Sequence, residues 1–185
     1  MIAKTIASRR SVFPIQYNDT PITKEEIQML LEAANWAPTH KRTEPWRFKV
    51  FHTQDARKRL SEFMGEAFQK TATVFSEVKQ QKVMEKPLQA AGVIAICMQR
   101  DPKESLPEWE EIASTAMAVQ NMWLQATNLN IGAYWGSPGF LKLFGEYFPL
   151  AEGERCIGLF FMGKYDGELP EGTRNSSIEE KTMWM

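Results

Sequence analysis

Two short, unbroken apolar runs limit the fold more than any other feature of the chain: Ala90–Met98 and Cys156–Met162. Neither approaches the ~20 apolar residues that a membrane-crossing helix needs. Neither alternates apolar with polar residues as a half-exposed strand does. Both read as strands covered on both faces. Around them the chain alternates helical and strand-like segments, with no internal repeat, low-complexity tract or linker, so residues 1–185 form one domain.

Local signals fix several elements. Residues 2–10 form a short helical stretch ending at Arg9-Arg10. Thr23 with Glu26 makes a capping box, and Ile22 can staple onto Ile27. Ile27, Leu30, Leu31 and Ala34 then recur at helical spacing until Pro38 ends the helix. Trp46–Phe51 and Ile131–Trp135 read as strands, and residues 55–68 as a helix. Residues 69–86 are polar and weakly patterned, a helix expected to be loosely attached and a candidate lid. Ser105 with Glu108 offers a second capping box, ahead of a helix rich in small residues along Ile112, Ala113, Ala116 and Met117. The tail from Tyr165 is polar, yet it ends in Met183-Trp184-Met185, an apolar tip that makes most sense if it docks somewhere.

Composition removes whole function classes. A net charge of −1 gives no basic footprint for nucleic acid. Cys97 and Cys156 sit in apolar runs and read as reduced thiols of a cytoplasmic protein, and no secretory leader or membrane span is visible. There is no Walker loop, no Gly-x-Gly-x-x-Gly, no Cys-x-x-Cys and no Gly-x-Ser-x-Gly. With two histidines and two separated cysteines, no metal site is expected. No catalytic side chain of the hydrolytic kinds can be named. A bound cofactor that carries the hard chemistry removes the need for one.

Three segments carry positive signals, each with a plainer reading beside it. Arg9-Arg10-Ser11 can grip a phosphate through charge-assisted hydrogen bonds, or it can be a solvated basic helix end. Taken alone, the triplet favours the second. Residues 38–48 link a helix to a strand and set Thr39, His40, Lys41 and Arg42 between Pro38 and Pro45. The prolines stiffen the loop and reduce the entropy lost on holding a ligand. His40 can donate to a ligand oxygen or lie idle on the surface, where His52 also belongs, while Trp46 and Phe48 suit the core. Trp135-Gly136-Ser137-Pro138-Gly139 ends a strand in glycine, which lets a flat ligand approach the backbone, or it is a turn with Ser137 capping a short helix.

Taken together, in this order and spacing, these segments resemble the nitroreductase family of FMN enzymes, most closely its small, single-domain NAD(P)H nitroreductase branch. The resemblance also takes in the Pro107–Glu110 segment (Pro-x-Trp-Glu), Gly132 and the Gly158–Gly163 strand, and so runs over nearly the whole chain. It implies an α+β fold with a central mixed, mostly antiparallel sheet flanked by helices. It also implies a homodimer whose C-terminal tail reaches the partner, with FMN sites built from both chains. On this resemblance Arg9, Arg10 and Ser11 hold the flavin phosphate. Thr39 and His40 reach the flavin of the other subunit, and Trp135, Gly136 and Ser137 contact the flavin of their own. Trp36 and Lys41 fall on the substrate side. Trp36 stands where related proteins can carry a basic residue, and Gly136 replaces a larger residue.

The implied activity passes electrons from NAD(P)H through the flavin to a small electron-poor acceptor, a nitroaromatic or a quinone. A flavin carrier or sensor without turnover, another flavin chemistry on the same fold, and a non-flavin interaction domain are the alternatives.

Overall fold

In the computed structural model, which describes residues 2–185, the two apolar runs lie side by side at the centre of one sheet. Its strands are β1 (Trp46–Phe51), β2 (Gly92–Gln99), β3 (Gly132–Gly136) and β4 (Glu154–Gly163), in the order β1-β2-β4-β3. All three pairings are antiparallel, and a single parallel bridge between Ser11 and Ala133 supplies the mixed character. The apolar runs are unbroken because β2 and β4 serve two layers. Ile94, Ile96, Phe160 and Met162 pack under α2 (Lys24–Asn35) and α5 (Glu108–Asn128). Val93, Ala95, Cys97, Leu159 and Phe161 pack under α3 (Gln54–Thr71) and α6 (Phe144–Tyr147). A fully buried side chain of this size contributes about 1.5–3 kcal/mol, so the two central strands anchor both layers. No helix among the described residues is long and apolar enough to cross a membrane.

The start of α2 follows its sequence signal. Thr23 Oγ1 accepts from the Glu26 amide at 3.1 Å, and Glu26 Oε2 accepts from the Thr23 amide at 2.9 Å. The end of α2 is tied to β1, because the Trp46 indole N–H donates to Asn35 Oδ1 at 3.1 Å. That bond pins the two ends of the proline-bounded loop.

Three local expectations change. Ser105 does not cap α5. Asp101 takes its hydroxyl, and Pro107 occupies the cap position. The first turn of α5 is instead fixed by Glu111, which is fully buried and accepts from the Arg100 guanidinium and from the Asp101 amide. Residues 69–86 are not a loose segment. Most of them belong to α4 (Glu77–Gln89), which docks on α3 through Ser61 Oγ to the Met84 carbonyl at 2.6 Å and Gln80 Nε2 to the Gly65 carbonyl at 3.0 Å. His52 is not idle, since its Nε2 donates to the Ile22 carbonyl at 2.7 Å.

Cys97 and Cys156 face each other across β2 and β4 as buried free thiols. The hydrogen bond from one sulfur to the other, reinforced by burial, holds the Cys97 thiol far above its ordinary range. Cys97 is therefore not a ready nucleophile.

The centre of the sheet also positions Trp135. A Cβ on Gly158 would stand 1.9 Å from Trp135 Nε1, so the indole occupies space that only glycine leaves open. Gly158→Ala is therefore expected to destabilise the fold by about 1–3 kcal/mol through overpacking. Urea unfolding checks this, and a midpoint equal to wild type would contradict the close approach.

Candidate functional site

The chain ends α1 (Ile2–Ser8) with two guanidinium groups and brings a third to them from far along the sequence. Arg10 Nη1 donates to the Ala7 and Arg9 carbonyls at 2.7 and 2.8 Å, and its Nε donates to the Pro170 carbonyl at 2.8 Å. The tail comes so close that a Cβ on Gly172 would stand 2.7 Å from Arg10 Cζ. This approach carries Arg174 to the cluster. Burial first, then the charges of Arg174 and Arg10, push Arg9 below its ordinary value. The Arg9 guanidinium also lies 4.5 Å from the centre of the Trp123 ring. Among the described residues no carboxylate pairs with any of the three arginines. Three like charges gathered without a counter-ion form a seat for a multiply charged anion.

Ser11 links this cluster to the glycine-ended strand. It bridges Ala133, and the Val12 amide donates to the Ala133 carbonyl at 3.0 Å. The Arg9–Ser11 segment thus runs beside the start of β3, while Trp135, Gly136 and Ser137 form its end. Trp135 turns toward the α5 layer, with its indole N–H buried and unpartnered. Gly136 and Ser137 line a cavity of about 320 Å³ on the opposite side, closed by Lys86 of α4. Ser137 does not cap the turn that follows, because Pro138 holds that position.

The His40 loop is latched to the start of α5. Lys41, Arg42 and Glu44 adopt left-handed backbone angles, with φ of 49°, 56° and 42°. For residues with side chains these angles are strained, and they persist because surrounding contacts enforce them. Thr39 Oγ1 accepts from the Glu44 amide at 3.2 Å, and Lys41 Nζ donates to the Ser105 carbonyl at 2.9 Å. His40 Nδ1 is 2.6 Å from Glu110 Oε2. That contact gives the Pro107–Glu110 segment its use, since the glutamate orients the histidine. A cavity of about 270 Å³ opens between the loop and α5, lined by Thr39, His40, Trp109, Glu110 and Met117. Trp36, at the end of α2, is 87% exposed.

Within one chain, then, Arg9, Arg10 and Ser11 meet β3, but Thr39, His40 and Lys41 do not join them. The α5 residues holding the two groups, Glu110 and Trp123, stand about 20 Å apart along the helix. The cavity at His40 and the cavity at Gly136 share no lining residue.

Residues 6–164 match the sequence profile of the Nitroreductase family. The chain belongs to that family. The Bacillus subtilis protein YfhC, provisionally named an NAD(P)H nitroreductase, is 28% identical over 178 residues, or 95% of this chain and 90% of its own length. A solved nitroreductase-like protein from Bacillus cereus is 30% identical, with a TM-score of 0.83, and the match covers 100% of this chain and 96% of that one. A nitroreductase-type protein from Desulfovibrio desulfuricans, solved in complex with FMN, shares the fold. It has a TM-score of 0.74 at 20% identity over 100% of this chain and 96% of its own.

For this nitroreductase-family chain, sequence reasoning missed Arg174, Glu110 and Lys86 as site residues. Arg174 had one visible signal, a lone basic residue in a glycine-containing polar tail.

The arginine seat predicts stabilisation by inorganic phosphate. At ten times its Kd, phosphate should stabilise wild type by about 1.4 kcal/mol, a rise of about 3–6 °C in Tm for a chain this long. Arg174→Ala should lose most of that rise in a thermal scan. An equal rise in the variant would remove Arg174 from the seat.

Proposed function

We propose that this nitroreductase-family protein is an FMN-dependent oxidoreductase of the cytoplasm, taking electrons from NAD(P)H and passing them to a small electron-poor acceptor. The observation that carries this reading is the unpaired arginine trio at the end of α1, beside a strand that ends in Trp135-Gly136-Ser137. A phosphate monoester fits that donor set in charge and in hydrogen-bonding capacity. Arg9, Arg10 and Arg174 would hold the FMN phosphate, with the Ser11 hydroxyl beside them. Trp135, Gly136 and Ser137 would line the flavin's path along β3. Bound there, FMN supplies hydride chemistry between a reduced nicotinamide and an acceptor such as a nitroaromatic or a quinone.

The rest of the site comes, in this reading, from a second copy of the chain. His40 and Thr39 stand apart from the arginines of their own chain, and the helices around them expose several large apolar side chains. Ile2, Ile6, Met29, Trp36, Trp109 and Met117 are exposed on α1, α2 and α5 or beside them. A groove of about 420 Å³ runs between these helices, lined by Ile2, Ala33 and Leu124 among others. Apolar surface on this scale calls for a partner, and a self-complementary dimer is the commonest solution. Met183, Trp184 and Met185 are almost fully exposed on their own chain, as a tail that docks on a partner would be.

The chain's own residues then have distinct tasks. The arginines bind and orient. His40, fixed by Glu110, offers a hydrogen bond to the partner's flavin. Trp36 and Lys41 border the acceptor side, with Lys41 also latching its loop to Ser105. No side chain is assigned a proton-transfer role.

Purified protein should be yellow, or should become so on adding FMN, with steady NAD(P)H oxidation once a quinone or nitroarene is supplied. A protein that stays colourless in excess FMN sinks the proposal. Arg10→Ala should weaken FMN binding by about ten-fold or more, since a hydrogen bond to a charged group contributes about 1.5–3 kcal/mol. Its far-UV spectrum should not change, and FMN affinity equal to wild type would remove Arg10 from the phosphate site.

A further inference from the structure

The cavity at the end of β3 has a feature that anchoring a phosphate at the arginine trio leaves unexplained. Lys86, in the last turn of α4, is half-buried in its wall. Its ammonium sits 5.7 Å from the centre of the Tyr134 ring. Among the described residues no carboxylate and no hydrogen-bond acceptor pairs with it. The other two half-buried lysines, Lys49 and Lys164, both have carboxylate partners, and Lys86 has none. A partly desolvated cation gains most from an anion that enters the same low-dielectric space.

The remaining walls specify what else that anion must carry. Met64, Val83 and Phe161 give the cavity an apolar wall, and Tyr134 stacks on Phe161 with ring centres 6.0 Å apart and planes at 22°. Phe13 extends this aromatic surface, 4.7 Å from Tyr134. Flat rings prefer offset contacts on such walls. Gly136 and Ser137 complete the cavity with open backbone and an exposed hydroxyl. At about 320 Å³ it lies at the small end of ligand pockets, a size for one ring rather than a dinucleotide.

We propose that this cavity binds a single-ring aromatic carboxylate, the ring against Tyr134 and Phe161 and the carboxylate on Lys86. Lys86 is then a specificity-determining residue for the electron acceptor. The acceptor role rests on the oxidoreductase reading above, because Gly136 and Ser137 line both this cavity and the proposed flavin path. The binding itself is measured without turnover.

The test is calorimetric titration of the FMN-saturated protein, without nicotinamide, using 4-nitrobenzoate and its neutral counterpart 4-nitrobenzyl alcohol. Wild type, Lys86→Met and Lys86→Arg are compared, and flavin content is read from the visible spectrum. Wild type should bind the carboxylate about ten-fold or more tightly than the alcohol, the difference expected from one charge-assisted bond. Lys86→Met should abolish that preference, Lys86→Arg should keep it, and all three should retain equal FMN. Equal affinity for both probes in wild type, or a preference that survives Lys86→Met, overturns the proposal. Loss of FMN from Lys86→Met alone also overturns it, because the lysine would then serve the flavin. Failure of wild type to hold FMN overturns the oxidoreductase reading and the acceptor role with it, whatever the probes show.

Discussion

The antiparallel pairing of β2 with β4 is the contact on which the rest of the molecule depends. Each strand presents one set of side chains to the α2–α5 layer and the other to the α3–α6 layer, so the same few residues anchor both halves of the core. The functional elements hang from this pair. β3 adds to the outer edge of β4 and carries Trp135 and Gly136, with Ser137 directly after it. Gly158 in β4 leaves the space that fixes the Trp135 indole. α5 crosses one face and offers Glu110 to His40 near its start and Trp123 to Arg9 near its end. A slip of one residue between the central strands would exchange their two faces and scatter all of these groups.

Features decided by neighbours in sequence were legible. The Thr23–Glu26 capping box, the strand at Trp46 and the two buried runs all follow from local pattern. Features decided by distant partners were not. Ser105 has the spacing of a cap, but Asp101 competes for its hydroxyl and Glu111 takes over the organisation of the helix start. Residues 69–86 look unattached because their hydrogen bonds to α3 run from a glutamine and a serine to backbone carbonyls, which leave no apolar stripe in the sequence. Arg174 belongs with Arg9 and Arg10 only because the tail folds back at Pro170 and Gly172. Lys86 looks like any helical lysine until the structure shows that it lacks a partner.

The site follows the same division. Each motif named from sequence exists as a local structure with a physical role: a guanidinium seat, an open strand end and a latched histidine loop. Their union is not local. One chain brings the first two together and leaves the third about 20 Å away along α5. Under the proposed dimer, the exposed apolar residues on α1, α2 and α5 and the apolar tail would meet their counterparts on the second copy. In the function proposed above, a second copy of the chain supplies the missing part.

Subunit complementation tests that claim most directly. Arg10→Ala and His40→Ala chains, each weak in FMN binding alone, are unfolded together, refolded as a mixture, and the mixed dimer is isolated by two different tags. If each site takes Arg10 from one chain and His40 from the other, the mixed dimer contains one intact site and one doubly damaged site. It should therefore bind one FMN per dimer with wild-type affinity. If both residues serve a site within their own chain, every site in the mixed dimer is damaged and no tight FMN appears, which would contradict the account.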